Sequence, residues 1–239
     1  MRPNFTLSLS FSGIQLLHRQ GNGWGRVGDV DLSTGDLAGD LAALLDKARA
    51  LGAGPVETKL IIPDEQIKYL TVDASGLDKA ELQSAVLTAL DGATPYAVDE
   101  LEFDFANADG KVYVAAVAKE TLQEAESFAS EHGFEPLGFV AAPPSEKFPK
   151  EPNFGLSELA LSQGRTALQS DDTPAIATGE AIAIKPEPVL SEPTPSVQAE
   201  PAPPVPKEPA PAAPAIGFSS RRAVPETAAP TVPPASTQP

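Results

Sequence analysis

The uneven distribution of proline and aromatic residues along the chain limits what it can fold into more than any other feature. Of the 26 prolines, 21 follow Ala142, whereas the only Trp, all three Tyr and seven of the ten Phe precede it. Proline removes a backbone donor, and aromatic side chains supply much of a core, so we expect packing mainly in the first part. We predict an acidic αβ domain over residues 1–142, a docked segment over 143–163 and a disordered Pro-rich tail over 164–239.

The charge of the chain narrows the kind of partner it can bind. Its net charge is -16, and residues 1–142 hold 10 Lys and Arg against 22 Asp and Glu. Such a surface repels phosphate backbones, so we predict no nucleic-acid binding. A protein partner with a basic or apolar surface fits better, and the sequence leaves the oligomeric state open.

Several classes of location and chemistry are disfavoured by composition. The chain has no cysteine, which removes disulfides, thiol catalysis and Cys-ligated metals. Ser8, Ser10 and Ser12 interrupt the apolar start, and no run approaches 18 apolar residues, so we predict neither a signal peptide nor a direct membrane span. The expected location is cytoplasmic.

Hydrophobic periodicity predicts an α+β fold. Period-two alternation at 5–11 and two further extended runs indicate a three-stranded meander, a helical stripe follows at 37–51, and a strand at 57–62 completes a β-β-β-α-β order. The second half of the domain has the β-α-β-β-α-β order of a ferredoxin-like unit. Its predicted elements are 67–72, 78–91, 101–105, 112–118, 119–132 and 135–141.

The sequence contains no motif typical of catalysis or cofactor binding. No glycine-rich phosphate loop occurs. The carboxylates of Glu102 and Asp104 alternate with aromatic residues, as on a solvated sheet face. We therefore predict a protein that is not an enzyme, with no catalytic residue, metal ligand or cofactor.

Two short segments are candidate partner-binding sites. Pro95 and Tyr96 follow the second helix and could present an aromatic ring at a bend, although packing of Tyr96 on its own core is the competing interpretation. In the tail, Phe218 with Arg221 and Arg222 combines an aromatic anchor with a basic pair in an otherwise uniform sequence. Such short anchors often bind partners.

The order of these segments, from Leu60-Ile61-Ile62-Pro63 through Thr94-Pro95-Tyr96 to the strand at 112–117, resembles a known group of proteins. It is similar to the N-terminal half of the actin-like proteins of type IV pilus assembly and to the cytoplasmic domain of the type II secretion platform protein. The resemblance covers about residues 4–142. It implies an RNase H-like (actin-like) beginning at about 4–62 and a ferredoxin-like insert at about 63–142.

The chain departs from nucleotide-binding members of that group. Their Asp, Gly and Lys correspond here to Ser8, Ser10 and Gln15, which lack the charges that organise Mg²⁺ and phosphate. The resemblance then implies a non-enzymatic adaptor or assembly scaffold in an envelope, pilus or secretion-related complex, held peripherally at the inner membrane by a partner. One alternative is a divergent actin-like nucleotide-binding protein that needs another subunit. Another is a protein of the kind labelled translation initiation factor, without GTPase activity.

Overall fold

The computed structural model describes residues 2–21, 23–33, 35–52, 54–73, 75–169 and 171. The mixed α+β class is confirmed, with nine strands and four α-helices among the described residues. In chain order they are β1 (Phe5–Leu9), β2 (Gly13–Gln20), β3 (Gly23–Asp31), α1 (Leu37–Arg49), β4 (Glu57–Ile61), β5 (Lys68–Asp73), α2 (Lys79–Leu90), β6 (Leu101–Ala108), β7 (Lys111–Ala118), α3 (Lys119–Glu131), β8 (Glu135–Val140), β9 (Asn153–Leu156) and α4 (Glu158–Ser162).

The larger sheet has the strand order β3-β2-β1-β4-β8-β9. The first three strands form the predicted antiparallel meander, while β4 runs parallel to β1 and β8 runs parallel to β4. The alternation of β1 predicts one solvent-facing side, yet Thr6 is fully buried. The reason is that β1 lies in the middle of the sheet, with packed side chains on both faces.

Two amphipathic helices complete the main core on one side of this sheet. Asp36 caps α1 by accepting a hydrogen bond from the Gly39 amide at 3.0 Å, and the apolar stripe of the helix, including Leu41 and Leu44, is buried. Helix α3 buries Phe128 in the same core. None of the helices in the described part of the chain combines the length and apolar character needed to cross a membrane.

A second, three-stranded sheet of order β5-β7-β6 carries α2 on one face. A capping box of Asp78 and Glu81 starts the helix as predicted. The predicted ferredoxin-like β-α-β-β-α-β unit is corrected in one respect, because its last strand, β8, pairs with β4 in the larger sheet. The insert is therefore a β-α-β-β unit, and α3 leads back to the main sheet.

The segment after β8 folds back on the body of the protein; we call residues 143–169 and 171 the strap and the rest of the described residues the body. Strand β9 adds to β8 as the edge of the larger sheet, and the strap buries Phe148 and Phe154 in the main core. The predicted tail begins at 164, but Leu168 and Asp171 are buried in the structure. Buried residues of the described chain therefore lie beyond the predicted start of the tail, as far as residue 171.

Candidate functional site

The predicted binding residues Pro95 and Tyr96 line a groove at the junction of the insert and the main sheet, which we call the Tyr96 groove. Its volume is about 220 Å³. The loop after α2 forms one wall, and the ends of β5 and β7 with the start of α3 form the rest. The lining comprises residues 65–68, 93–96, 101, 116–118 and 121.

The loop that carries Tyr96 is held by its own hydrogen bonds. Helix α2 ends at Leu90, and Gly92, two residues later, has a φ of 71°, which suits glycine. The Thr94 hydroxyl donates to the Tyr96 carbonyl and accepts from the Tyr96 amide, both at 3.2 Å. The Tyr96 backbone therefore has a fixed position beside the groove.

Tyr96 packs on its own core and also lines the groove, and its role in partner binding stays a prediction. Its ring is half-buried and packs against the core of the insert, and the same residue lines the groove. The Tyr96 hydroxyl is buried and has no hydrogen-bond partner among the described residues. An unsatisfied buried hydroxyl is costly, so a polar group that reached it from a bound partner would gain a hydrogen bond at low cost.

A charged corner adjoins the groove on the β5 side. Glu65 and Lys68 belong to the lining, and the carboxylate of Asp64 forms an ion pair with Lys147 from the strap. Burial, with Asp64 beside it, raises the pKa of the Tyr69 hydroxyl. Tyr69 is therefore neutral at physiological pH, and Lys147 lies over its ring at 5.4 Å.

The positions compared with nucleotide-binding residues lie together at the β1–β2 turn, in what we call the hairpin pocket. Ser8 is directly opposite Gln15 in the strand register. The pocket has a volume of about 450 Å³, and its carboxylates are those of Asp29 and Asp31.

The polar groups of the hairpin pocket are engaged within the protein. The Ser10 hydroxyl donates to the Gly13 carbonyl at 2.7 Å and accepts from the Gly13 amide at 3.0 Å. Gln15 Nε2 donates to Asp29 Oδ1 at 2.7 Å. No cationic side chain is among the described residues that line the pocket, and the Asp29 carboxylate would repel a phosphate group.

A buried ionic network, which we call the Lys59 cluster, lies on the face of the larger sheet opposite α1 and α3. Lys59 of β4 is fully buried, and its Nζ lies 2.5 Å from Glu151 Oε1 and 2.5 Å from Asp171 Oδ2. Arg19 binds both Asp171 oxygens, at 2.9 and 3.0 Å, and Arg2 reaches Asp171 Oδ1 at 2.9 Å.

The two carboxyl groups of the cluster respond to it in opposite directions. Burial raises the pKa of Glu151, although Lys59 beside it acts the other way. Burial also acts to raise the pKa of Asp171, but hydrogen bonds from Arg19, Lys59 and Arg2 outweigh it and hold that pKa well below its usual range. Asp171 is therefore the firmly ionised member of the pair.

The Lys59 cluster is not among the sequence-based predictions. The signal in the sequence was weak, because Lys59 follows Glu57 and Thr58 and directly precedes the apolar run Leu60-Ile61-Ile62 of the predicted strand. The candidate residues Phe218, Arg221 and Arg222 lie outside the described residues.

Comparison with solved structures finds similarity to components of two assembly systems. One is the cytoplasmic domain of EpsL, an inner membrane component of the type II secretion system of Vibrio cholerae, with 13% identity and a TM-score of 0.42. The other is the PilM–PilN type IV pilus biogenesis complex, with 19% identity and a TM-score of 0.42. Each match covers 58% of this chain, which spans about half of each solved chain, 56% and 47% respectively. No family model and no curated protein sequence matches the chain.

Proposed function

We propose that this protein is a non-enzymatic scaffold that binds a protein partner at the Tyr96 groove, within a secretion- or pilus-related complex at the cytoplasmic side of the inner membrane. The observation that carries the proposal is the buried, unpartnered Tyr96 hydroxyl at a groove walled by a fixed loop. Buried hydroxyl groups in folded proteins rarely lack a hydrogen-bond partner unless a ligand or solvent supplies one.

The groove restricts the chemistry of its occupant. A volume of about 220 Å³ is smaller than the roughly 300–1,000 Å³ typical of small-molecule pockets, which suits one or two side chains of a peptide segment. Residues 1–142 carry 22 acidic against 10 basic side chains, so long-range attraction favours a basic segment. The proposed partner segment therefore combines an apolar anchor with flanking Lys or Arg.

Peptide selection on the intact chain tests this function. A displayed library of random 12-residue peptides is selected against the full-length protein, and the binding of the selected peptides is measured by fluorescence anisotropy. Ala93 lines the groove, so Ala93→Lys should weaken binding about tenfold or more, since a charge and added bulk occupy the space. Ala80→Lys, at an exposed position of α2, is the matched control and should bind like the wild type.

Two results would remove the proposal. Selection could yield no peptide that is both apolar and basic, or the two lysine variants could bind the selected peptides equally. Either result would mean that the groove is not a recognition site.

The competing function is nucleotide binding at the hairpin pocket. Its support is the convergence of Ser8 and Gln15 in a pocket of about 450 Å³, and the bond from Gln15 to Asp29 opposes it. Calorimetric titration of the full chain with ATP and Mg²⁺ separates the two functions. Binding that Gln15→Ala weakens would replace the scaffold proposal.

A further inference from the structure

The ion pairs of the strap all connect it to the body. Among the described residues, its Lys and Arg pair with body carboxylates, and two of its carboxylates, Glu151 and Asp171, pair with body cations. The strap therefore meets the body both through these ion pairs and through the rings of Phe148 and Phe154, which are buried in the main core.

The Lys59 cluster divides along the boundary between strap and body. Both carboxylates, Glu151 and Asp171, belong to the strap, whereas the cations belong to β4, β2 and the residues before β1. Movement of the strap away from the body would therefore separate every ion pair of the cluster together. Because the ion pairs of the cluster form or break together, the strap favours two discrete states over gradual fraying.

The backbone attachment of the strap to β8 is short. Strand β9 pairs with β8 at two register positions, Gly138 with Leu156 and Val140 with Asn153, with an irregularity between them. Two further backbone hydrogen bonds flank this pairing, from the Ala141 amide to the Pro152 carbonyl and from the Ser157 amide to the Leu137 carbonyl, both at 3.3 Å. Helix α4 is held at its first turn by the Glu126 carboxylate, which accepts from the amides of Glu158 and Leu159 at 3.0 and 2.9 Å. These contacts can be lost without breaking the pairing of β8 with β4.

The junction between body and strap suits a hinge. Pro143 and Pro144 follow directly after Ala142 and contribute no backbone donor to either sheet. The turn at 145–147 closes on Pro144, whose carbonyl accepts from the Lys147 amide at 2.9 Å.

We propose that the strap is a latch that opens as one unit while the body stays folded, with the Lys59 cluster fixing the closed position. Water reaches both sides of the cluster when the strap leaves, so the charges do not remain buried and unpaired. Buried ion pairs set geometry more than they add net stability. Opening then requires less free energy than unfolding of the apolar core.

Opening exposes two features of the body, a strand edge and a group of basic side chains. The outer edge of β8 loses its neighbour β9, and an unpaired edge is a template for another strand. Lys59, Arg19 and Arg2 lose their carboxylates at the same moment. The latch therefore couples the release of a strand edge to the exposure of a basic patch on an otherwise acidic domain.

Hydrogen exchange of the full-length chain, followed by mass spectrometry, tests the latch. In the wild type, the amides of β9, of α4 and of residues 166–169 should share one opening constant that is clearly larger than that of β1 and β4. The double variant Glu151→Gln with Asp171→Asn should speed exchange of all three strap segments by one common factor of about tenfold or more, and the strap should stay less protected than β1 and β4.

The control is Lys150→Gln, which removes the half-exposed pair with Asp104 at 3.2 Å. It should change strap exchange less than about threefold. Equal protection of the strap and β1 in the wild type would overturn the latch, as would three strap segments that open with unrelated constants. Because both of those readings come from the wild type, the test stands even if the double variant does not fold.

Discussion

Lys59 and Glu151 are 92 residues apart in sequence, yet Lys59 Nζ and Glu151 Oε1 meet 2.5 Å apart in the interior, and neither side chain is exposed. The contact joins a central strand of the larger sheet to a segment whose composition resembles a linker. Asp171 adds a second carboxylate to the same ammonium group. The strap therefore contributes to the interior of the protein as well as covering β8.

Shortening the chain to residues 1–142 should lower the stability of the domain without abolishing its fold. The shortened chain loses both carboxylates that pair with Lys59, and it loses the buried rings of Phe148 and Phe154. Each lost ring removes about 1.5–3 kcal/mol of burial free energy. Thermal unfolding followed by circular dichroism should show a cooperative transition at a clearly lower midpoint for 1–142, whereas a chain ending at residue 180 should unfold as the intact chain does. Equal midpoints for 1–142 and the intact chain would contradict this expectation.

Replacing Lys59 alone should lower the unfolding free energy more than replacing both Lys59 and Glu151. Lys59→Met leaves Glu151 buried without its cation, which costs about 3–5 kcal/mol of unfolding free energy. Adding Glu151→Met should recover part of that loss, because two apolar side chains then pack where the ions met. Urea unfolding of the two single variants and the double variant gives the coupling energy. Arg49→Met, which breaks an exposed pair with Asp46, is the control and should cost under about 1 kcal/mol.

Acid should weaken the contribution of Asp171 in a defined pH window. Its pKa in the folded protein is below the ordinary value of 3.8, so its stabilisation is present above pH 3.8 and is lost as the pH falls toward the folded value. The difference in unfolding free energy between the wild type and Asp171→Asn should be constant above about pH 5 and smaller by about 1 kcal/mol at pH 3. Urea unfolding across this range measures it. A difference that does not vary with pH would show that Asp171 has no such linkage.

Gly138→Ala should disrupt the packing of the strap against β8. A methyl group at Gly138 would lie 2.6 Å from the Gly155 carbonyl oxygen and 2.9 Å from Leu168 Cδ2. Because the first contact is with backbone, β9 must shift, and we expect a loss of about 1–3 kcal/mol. Gly52→Ala, with no atom within 4 Å of the added carbon, is the control and should leave the thermal midpoint nearly unchanged. Similar midpoints for the two variants would exclude close packing at Gly138.

The sequence was most informative where structure is local. Alternation and helical stripes located the described strands and helices from β1 to β8 to within a few residues, because those signals depend on neighbours along the chain. The partner of β8 could not be predicted in this way. An element order of β-α-β-β-α-β is compatible with a closed ferredoxin-like unit and with a final strand that returns to another sheet, and only packing of the whole domain decides between them.

The candidate site divides along the same line. The bend at Tyr96 was predictable because a proline and an aromatic residue after a helix mark an ordered turn, while partner binding there stays a prediction. Strand β9 was missed because its four residues carry too short a pattern. The partners of Lys59 were missed because nothing local links them to residues 92 and 112 positions later.

The long separation within the Lys59 cluster also matters while the protein is being made. Synthesis proceeds at about 5–20 residues per second, so roughly 6–22 s pass between the addition of Lys59 and that of Asp171, 112 positions later. Throughout that interval the nascent β4 carries an ammonium group whose acidic partners have not left the ribosome. The larger sheet therefore cannot reach its final form cotranslationally until nearly the whole folded region has emerged, and a chain that stalls earlier is left with an unfinished sheet that chaperones and proteases can recognise.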